Sequence, residues 1–197
     1  MSSGHTPPLI LNHVGITVPD IFAAIDWYTE LFGFTHIMGP RLMSAEGKAT
    51  AETRQVFGPA FNRLLQAHLL TGNGVGLELF EPLDPPPMPP DKDIGYRRPG
   101  PWHFTLQHPD VDATVERIVA RGGHRHSDTH AFAPGRPWRL AYARDPWWTT
   151  IEIVSHSYAE MFANWPQPGA ETEPTMVDRS GAERLRTAQR QASLTPK

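Results

Sequence analysis

The sequence predicts an α+β fold in which two βαβββ modules form a curved mixed sheet around a metal cleft. Three observations predict it. First, the chain repeats itself at an offset of 90 residues: Asn12-His13-Val14-Gly15-Ile16-Thr17-Val18-Pro19-Asp20 returns as Trp102-His103-Phe104-Thr105-Leu106-Gln107-His108-Pro109-Asp110, and the same shift carries Ala23 onto Ala113, Ile25 onto Val115 and Gly33 onto Gly123. A repeat of this length fixes the architecture before any residue is interpreted. Second, each copy continues into one amphipathic helical segment. Third, each unit closes in a strand-like run with a carboxylate in its middle, Val75-Gly76-Leu77-Glu78-Leu79-Phe80 and Thr149-Thr150-Ile151-Glu152-Ile153-Val154.

In the first unit, Leu9 to Val18 reads as a strand that Pro19-Asp20 ends. Asp20 is an N-cap residue. Ile21, Ala24, Ile25, Tyr28, Leu31 and Phe32 recur at three and four residues, which makes one apolar helical face, and Gly33 stops the helix. Phe34 to Met38 follows as a strand, and the small polar stretch Ser44 to Arg54 reads as a loop. Arg63 to Leu70 and Val75 to Phe80 form a hairpin closed by Thr71-Gly72-Asn73-Gly74.

Leu83 to Gly100, with Asp84-Pro85-Pro86-Pro87-Met88-Pro89-Pro90 at its start, reads as a stiff linker. It is long enough for the modules to close on each other within one chain. The second unit has a strand over Trp102 to Gln107 and a helix capped by Asp110, with Val111, Thr114, Val115, Ile118 and Val119 inward and Gly122-Gly123 at its end. Strands follow over His124 to Phe132, Pro137 to Ala143 and Thr149 to Ser155. The expected organisation is a flexible N-terminus (1–8), a first module (9–83), a Pro-rich linker (84–100), a second module (101–160) and a polar mobile tail (161–197), in which Ala182 to Arg190 has the composition of a short exposed helix.

Composition narrows the function. With 39% hydrophobic residues, 20% charged residues and 197 residues in all, the chain suits a soluble globule. A net charge of −3 gives no electrostatic reason for nucleic acid or an anionic membrane as partner. No apolar run approaches the ~18 residues that span a bilayer, and Met1 to Pro8 lacks the basic and apolar regions of a signal peptide. The absence of cysteine removes disulfides, thiolate ligands and Cys nucleophiles. A cytoplasmic enzyme acting on a small molecule is expected, with a homodimer formed through edge strands.

His13 and His103 occupy one register of the repeat, and Glu78 and Glu152 each sit mid-way along a terminal strand. A lone strand His is usually structural, and a lone Glu between apolar residues usually faces solvent. Their recurrence at matched positions favours one metal site shared by the two halves. Imidazole and carboxylate donors without thiolate suit a single divalent ion (Ni, Co, Zn, Fe or Mn) that keeps positions open for water or substrate.

Leu11 to Asp20, Trp27-Tyr28-Thr29-Glu30-Leu31-Phe32-Gly33-Phe34, Gly76 to Pro82, and Asp145-Pro146-Trp147 with Ile151-Glu152-Ile153 together resemble the glyoxalase / vicinal oxygen chelate superfamily, over roughly Leu9 to Tyr158. The resemblance implies paired βαβββ modules around an open metal cleft, with His13, Glu78, His103 and Glu152 on the ligand positions. That ligand set is similar to bacterial-type glyoxalase I. Methylmalonyl-CoA epimerase is similar too, but has Gln in place of Glu78. The resemblance therefore implies a metal-dependent lyase or isomerase with proton transfer beside a carbonyl, Glu152 being the first choice of base and Glu78 the second. An Fe(II) extradiol-type dioxygenase, with Glu78 a spectator, is the alternative. A non-catalytic binding or resistance protein is the second alternative, and the intact ligand set argues against it.

The sequence departs from the family's Asp-Pro-x-Gly-Asn turn, which reads Asp145-Pro146-Trp147-Trp148-Thr149 here and sets a bulky ring where glycine turns easily. Trp102, Trp147 and Trp148 are candidates for the substrate pocket, together with His68 (or Gln66) on the third strand, where His68 is also a candidate base. His156 is a candidate partner for Glu152. Arg97 and Arg98, and the trio His124, His126 and His130, are weaker candidates for an anion site and a second metal site.

Overall fold

Capping and alternation set the elements. In a computed structural model that describes residues 8–46, 50–90, 92–93, 95–162 and 177–194, β1 (His13–Thr17) runs into Pro19, which cannot continue a ladder. The Asp20 carboxylate then accepts from the backbone N–H of Phe22 and Ala23 at 3.1 and 3.0 Å and starts α1 (Ile21–Phe32). Gly33, in the left-handed region at φ 69°, ends it. β2 (Thr35–Ser44), α2 (Thr50–Phe57), β3 (Arg63–Leu70) and β4 (Gly76–Asp84) complete the first half. Its sheet has the order β1-β4-β3-β2, with β1 parallel to β4 and the other pairs antiparallel.

The second half repeats the plan with β5 (Phe104–Gln107), α3 (Val111–Ala120) capped by Asp110, β6 (His124–Arg125), β7 (His130–Ala131), β8 (Arg139–Arg144) and β9 (Thr150–Val154). The order is β5-β9-β8-β6, and β7 also pairs β8. α4 (Tyr158–Phe162) follows. The segment read as a tail carries α5 (Arg179–Leu194), while 163–176 lies outside the described residues, as do 1–7 of the expected flexible N-terminus. Among the described residues no helix is long and apolar enough to cross a membrane.

Several boundaries differ from expectation for identifiable reasons. Leu9, Ile10 and Leu11 are exposed and lie outside β1, because the ladder begins only where the Gly76 N–H reaches the Asn12 carbonyl. The stretch expected to be a loop is α2 from Thr50. Its Ala, Glu, Arg and Gln favour helix, and Phe57 at its end packs on Phe61 and Phe80. The strand expected over His124 to Phe132 breaks into β6 and β7, since the His126 and Ser127 amides both turn to the Tyr142 carbonyl. Val119 is exposed, one position off the buried face of Val111, Thr114, Val115 and Ile118.

One hydrophobic core joins both halves on the helix side of both sheets. Ile21, Ala24, Tyr28 and Leu31 of α1 and Val115 and Ile118 of α3 pack with Leu77 and Leu79 of β4 and Ile151 and Ile153 of β9. Each large side chain fully buried this way contributes about 1.5–3 kcal/mol. Polar contacts pin the halves together: the Tyr28 hydroxyl donates to Asp145 Oδ2 at 2.8 Å, and the Trp27 indole donates to the Arg121 carbonyl at 3.0 Å. Burial pushes the Asp145 carboxyl above the usual carboxylate range, against the lowering effect of donors from Tyr28, Thr149 and Trp147. It also pushes the Tyr28 hydroxyl well up, with help from the Asp145 charge.

Candidate functional site

Strand side chains alternate faces. Since Leu77, Leu79, Ile151 and Ile153 enter the shared core, Glu78 and Glu152 must project from the opposite, open faces of their sheets. The geometry of each face follows from its register.

On the first sheet, Glu78 lies across from Gly15 on β1 and His68 on β3. His13 Nε2 is 3.4 Å from Glu78 Oε2, and His68 Nε2 is 3.7 Å from Glu78 Oε1. The Gln66 side-chain amide donates to Glu78 Oε1, and its carbonyl oxygen accepts from Arg41 Nε at 2.7 Å. His13 stands opposite Gly76, where a Cβ would come within 3.0 Å of the His13 Cβ. Glycine there leaves room for the imidazole.

On the second sheet, Glu152 lies across from Thr105 on β5 and Tyr142 on β8. Thr105 Oγ1 donates to Glu152 Oε2 at 2.8 Å, and His103 Nε2 is 3.4 Å from the same oxygen. Burial first, and then the neighbouring Glu152 carboxylate, raises the pKa of the Tyr142 hydroxyl far above the usual phenol value. Trp102 packs against the His103 ring at 4.0 Å and stacks on Tyr142 at 5.6 Å. Beyond Tyr142 this face is partly filled by Trp138, Leu140, Val154 and Met161.

The structure thus joins His13 to Glu78 and His103 to Glu152, and places His68 and Trp102 beside these pairs. Among the described residues no strand of one sheet is hydrogen-bonded to the other. Among the described residues no group of three or more His, Cys, Asp or Glu is placed to hold a metal ion. Each pair presents two donors. Both His103 Nδ1 and His68 Nε2 are buried without a hydrogen-bond partner among the described residues, which is costly unless something else engages them.

The remaining candidates fall elsewhere. Trp147 packs against the shared core beside Trp27, away from the carboxylates. Trp148 stacks on His124. His156 shares a hydrogen bond with Ser155 Oγ rather than reaching Glu152, and His130 bonds the Asp128 carbonyl. Arg97 and Arg98 are exposed. Thr105, Tyr142 and Arg41 were not anticipated. Thr105 had a signal, since it lies two residues beyond His103 on one strand face, whereas Tyr142 depends on a cross-strand register that the sequence does not display.

The Glyoxalase/Bleomycin resistance protein/Dioxygenase superfamily profile matches residues 12–142, a span that holds His13, Glu78 and His103. The chain is 28% identical to a 2-epi-5-epi-valiolone epimerase of Actinomyces sp. over 151 residues, which is 74% of this chain and 78% of that protein. Its fold is similar to that of a glyoxalase family protein from Bacillus cereus (TM-score 0.60, 20% identity, 77% of this chain and 97% of the other). It is also similar to a glyoxylase/bleomycin resistance protein/dioxygenase domain from Frankia sp. (TM-score 0.53, 19% identity, 78% and 95%).

Proposed function

Because the chain belongs to the glyoxalase/bleomycin resistance protein/dioxygenase superfamily, we propose that it is a metal-dependent isomerase that inverts a carbon beside the carbonyl of a small polyhydroxylated substrate. The observation that carries this reading is the pair of pseudo-symmetric His–Glu sets on the open faces, His13 with Glu78 and His103 with Glu152. Identity to an epimerase supports inversion over other chemistry.

The donor chemistry fits one divalent transition ion. Two imidazoles and two carboxylates, with no thiolate, are its usual partners, and His13, Glu78, His103 and Glu152 would hold it. Two donors from one face are too few, so the two faces must meet. The modules share a core on their helix sides, so their open faces turn away from it, and a second copy of the chain supplies the complementary face. The ion, when bound, supplies Lewis acidity toward the carbonyl oxygen of the substrate and so acidifies the neighbouring C–H.

Inversion requires a proton to leave one face of a carbon and return on the other. Carboxylates from two opposed sheets meet that need. Glu152, oriented by Thr105 and Tyr142, removes the proton. Glu78 delivers one from the other side and is reprotonated from solvent through His68, while Glu152 returns the proton it took to solvent. Trp102 covers the His103 side of the site and excludes water.

The test is proton NMR of 2-epi-5-epi-valiolone in D2O with metal-loaded protein, beside metal analysis and sedimentation of the wild type, His103→Ala and Glu78→Gln. The reading expects deuterium incorporation with inversion, one ion per site lost in both variants, and a dimer. Oxygen uptake with iron alone, and metal kept in Glu78→Gln, would move the assignment to a ring-cleaving dioxygenase. Absence of metal after reconstitution would leave a binding protein.

A further inference from the structure

The open face of the second sheet continues past Glu152 to a buried cation that forms no ion pair with a carboxylate among the described residues. Arg144 is 3% exposed. Its Nη1 donates to the Lys92 carbonyl, its Nε has no hydrogen-bond partner, and among the described residues it makes no ion pair. The adjacent Asp145 carboxylate is turned into the helix-side core, onto Tyr28. A buried charge without a counter-charge is expensive, so the guanidinium calls for an anion.

The surroundings add to that demand. Arg144 Cζ lies 5.2 Å from the Trp148 ring centroid, and Lys92 Nζ lies 5.1 Å from it. His124, the cross-strand partner of Arg144, stacks on the same ring at 4.4 Å. Among the described residues Trp148 alone, apart from glycines, has a positive φ, 77°. Holding a bulky residue there is strained, and such strain typically gathers at ligand sites. Nearby His126 is held toward its neutral form, by burial first and by the Arg144 charge second. Two permanent positive charges, one a planar fork, match a phosphate dianion better than a singly charged carboxylate.

Register fixes where this cluster lies relative to the carboxylate. Tyr142 pairs with Glu152, and Arg144, two residues further along β8, pairs with Thr150. Two residues of strand span about 7 Å. We propose that Arg144, Lys92 and Trp148 form a phosphate-binding subsite on the same sheet face as Glu152, and that the preferred substrate is a phosphate monoester, of which the unphosphorylated compound named above is the form lacking this anchor. The reacting end rests on the isomerase reading above; the anion site does not.

Calorimetric titration of inorganic phosphate at pH 8 into the protein as purified, with and without added metal, tests the subsite without turnover. Saturable binding is expected, weakened about tenfold or more in Arg144→Gln and severalfold in Lys92→Gln. Lys92 is exposed, so its variant reports binding even where Arg144→Gln unfolds. Trp148→Gly relieves the left-handed strain and also weakens phosphate binding. Acetate should bind about tenfold more weakly than phosphate. His103→Ala should bind phosphate as the wild type does, which separates this subsite from the metal reading. No phosphate binding by the wild type, equal binding by Lys92→Gln, or acetate binding as well as phosphate would each overturn the proposal.

Discussion

The two carboxylates occupy one position of the repeat but have different neighbours. Across the ladder from Glu78 stand Gly15 and His68; across from Glu152 stand Thr105 and Tyr142. On one strand a glycine leaves space where a threonine donates a hydrogen bond. On the other, an imidazole is replaced by a phenol held neutral. The lesson is that strand register preserves the placement of a functional group, while cross-strand neighbours decide what that group can do. On the proposed reading, Glu78 passes a proton onward and Glu152 stays oriented.

The largest effects should come from removing either carboxylate. Glu152→Gln and Glu78→Gln should each lower kcat for inversion by about 10²–10⁴, the usual worth of a positioned acid or base. They should differ in one respect. With one base remaining, the substrate can still exchange its proton for deuterium on that base's face without inverting. Deuterium wash-in by Glu78→Gln at saturating added metal, with the starting configuration kept, would sharpen the contrast. Loss of exchange and inversion in equal measure would break it, leaving one base for both faces.

The neighbours come next. Tyr142→Phe removes the hydroxyl beside the Glu152 carboxylate, and a hydrogen bond there is worth about 1.5–3 kcal/mol when the acceptor is charged. A fall in kcat/KM of about tenfold or more is expected, since about 1.4 kcal/mol corresponds to one factor of ten. His68→Asn should instead act through proton return. Its effect should be smaller in buffers at high concentration, where a small external base substitutes for the imidazole. Buffer-independent rates in His68→Asn would remove the imidazole from the proton path.

What the sequence displayed and what it hid follow the same division. Asp20, Asp110 and Gly33 were legible because capping is local. The carboxylate positions were legible because alternation inside Leu77-Glu78-Leu79 and Ile151-Glu152-Ile153 places them opposite the core. Leu9-Ile10-Leu11 reads as strand by composition, yet a strand needs a partner, and the ladder to β4 begins only at Asn12. α2 was hidden because what anchors Phe57 is Phe61 and Phe80, across a loop and a strand. Tyr142 was hidden by register, and Trp147 by the turn that sends it to the core while Trp148 goes to Arg144. The outward direction of both open faces is a property of the shared core, which no local pattern encodes.

The smallest expected effect probes the seam that holds the two halves together. Tyr28 and Asp145 join helix-side surfaces of different modules through a 2.8 Å hydrogen bond. Tyr28→Phe deletes the donor but keeps the ring, and should lower unfolding stability by about 1–3 kcal/mol, the cost of leaving a buried acceptor short of a partner. The loss should depend on pH with a definite sign. Burial raises the Asp145 carboxyl above its usual value of 3.8. A raised folded-state pKa contributes stability that is present below 3.8 and is lost as pH rises through the folded value. Tyr28 is one of the donors that limit this rise, so its removal raises the carboxyl further and widens the window. The deficit of Tyr28→Phe relative to the wild type, read from urea unfolding, should therefore be smaller near pH 4 than at pH 7. An equal deficit at both would mean that Asp145 keeps one protonation state throughout, and that the seam is held by Trp27 and the apolar core rather than by this bond.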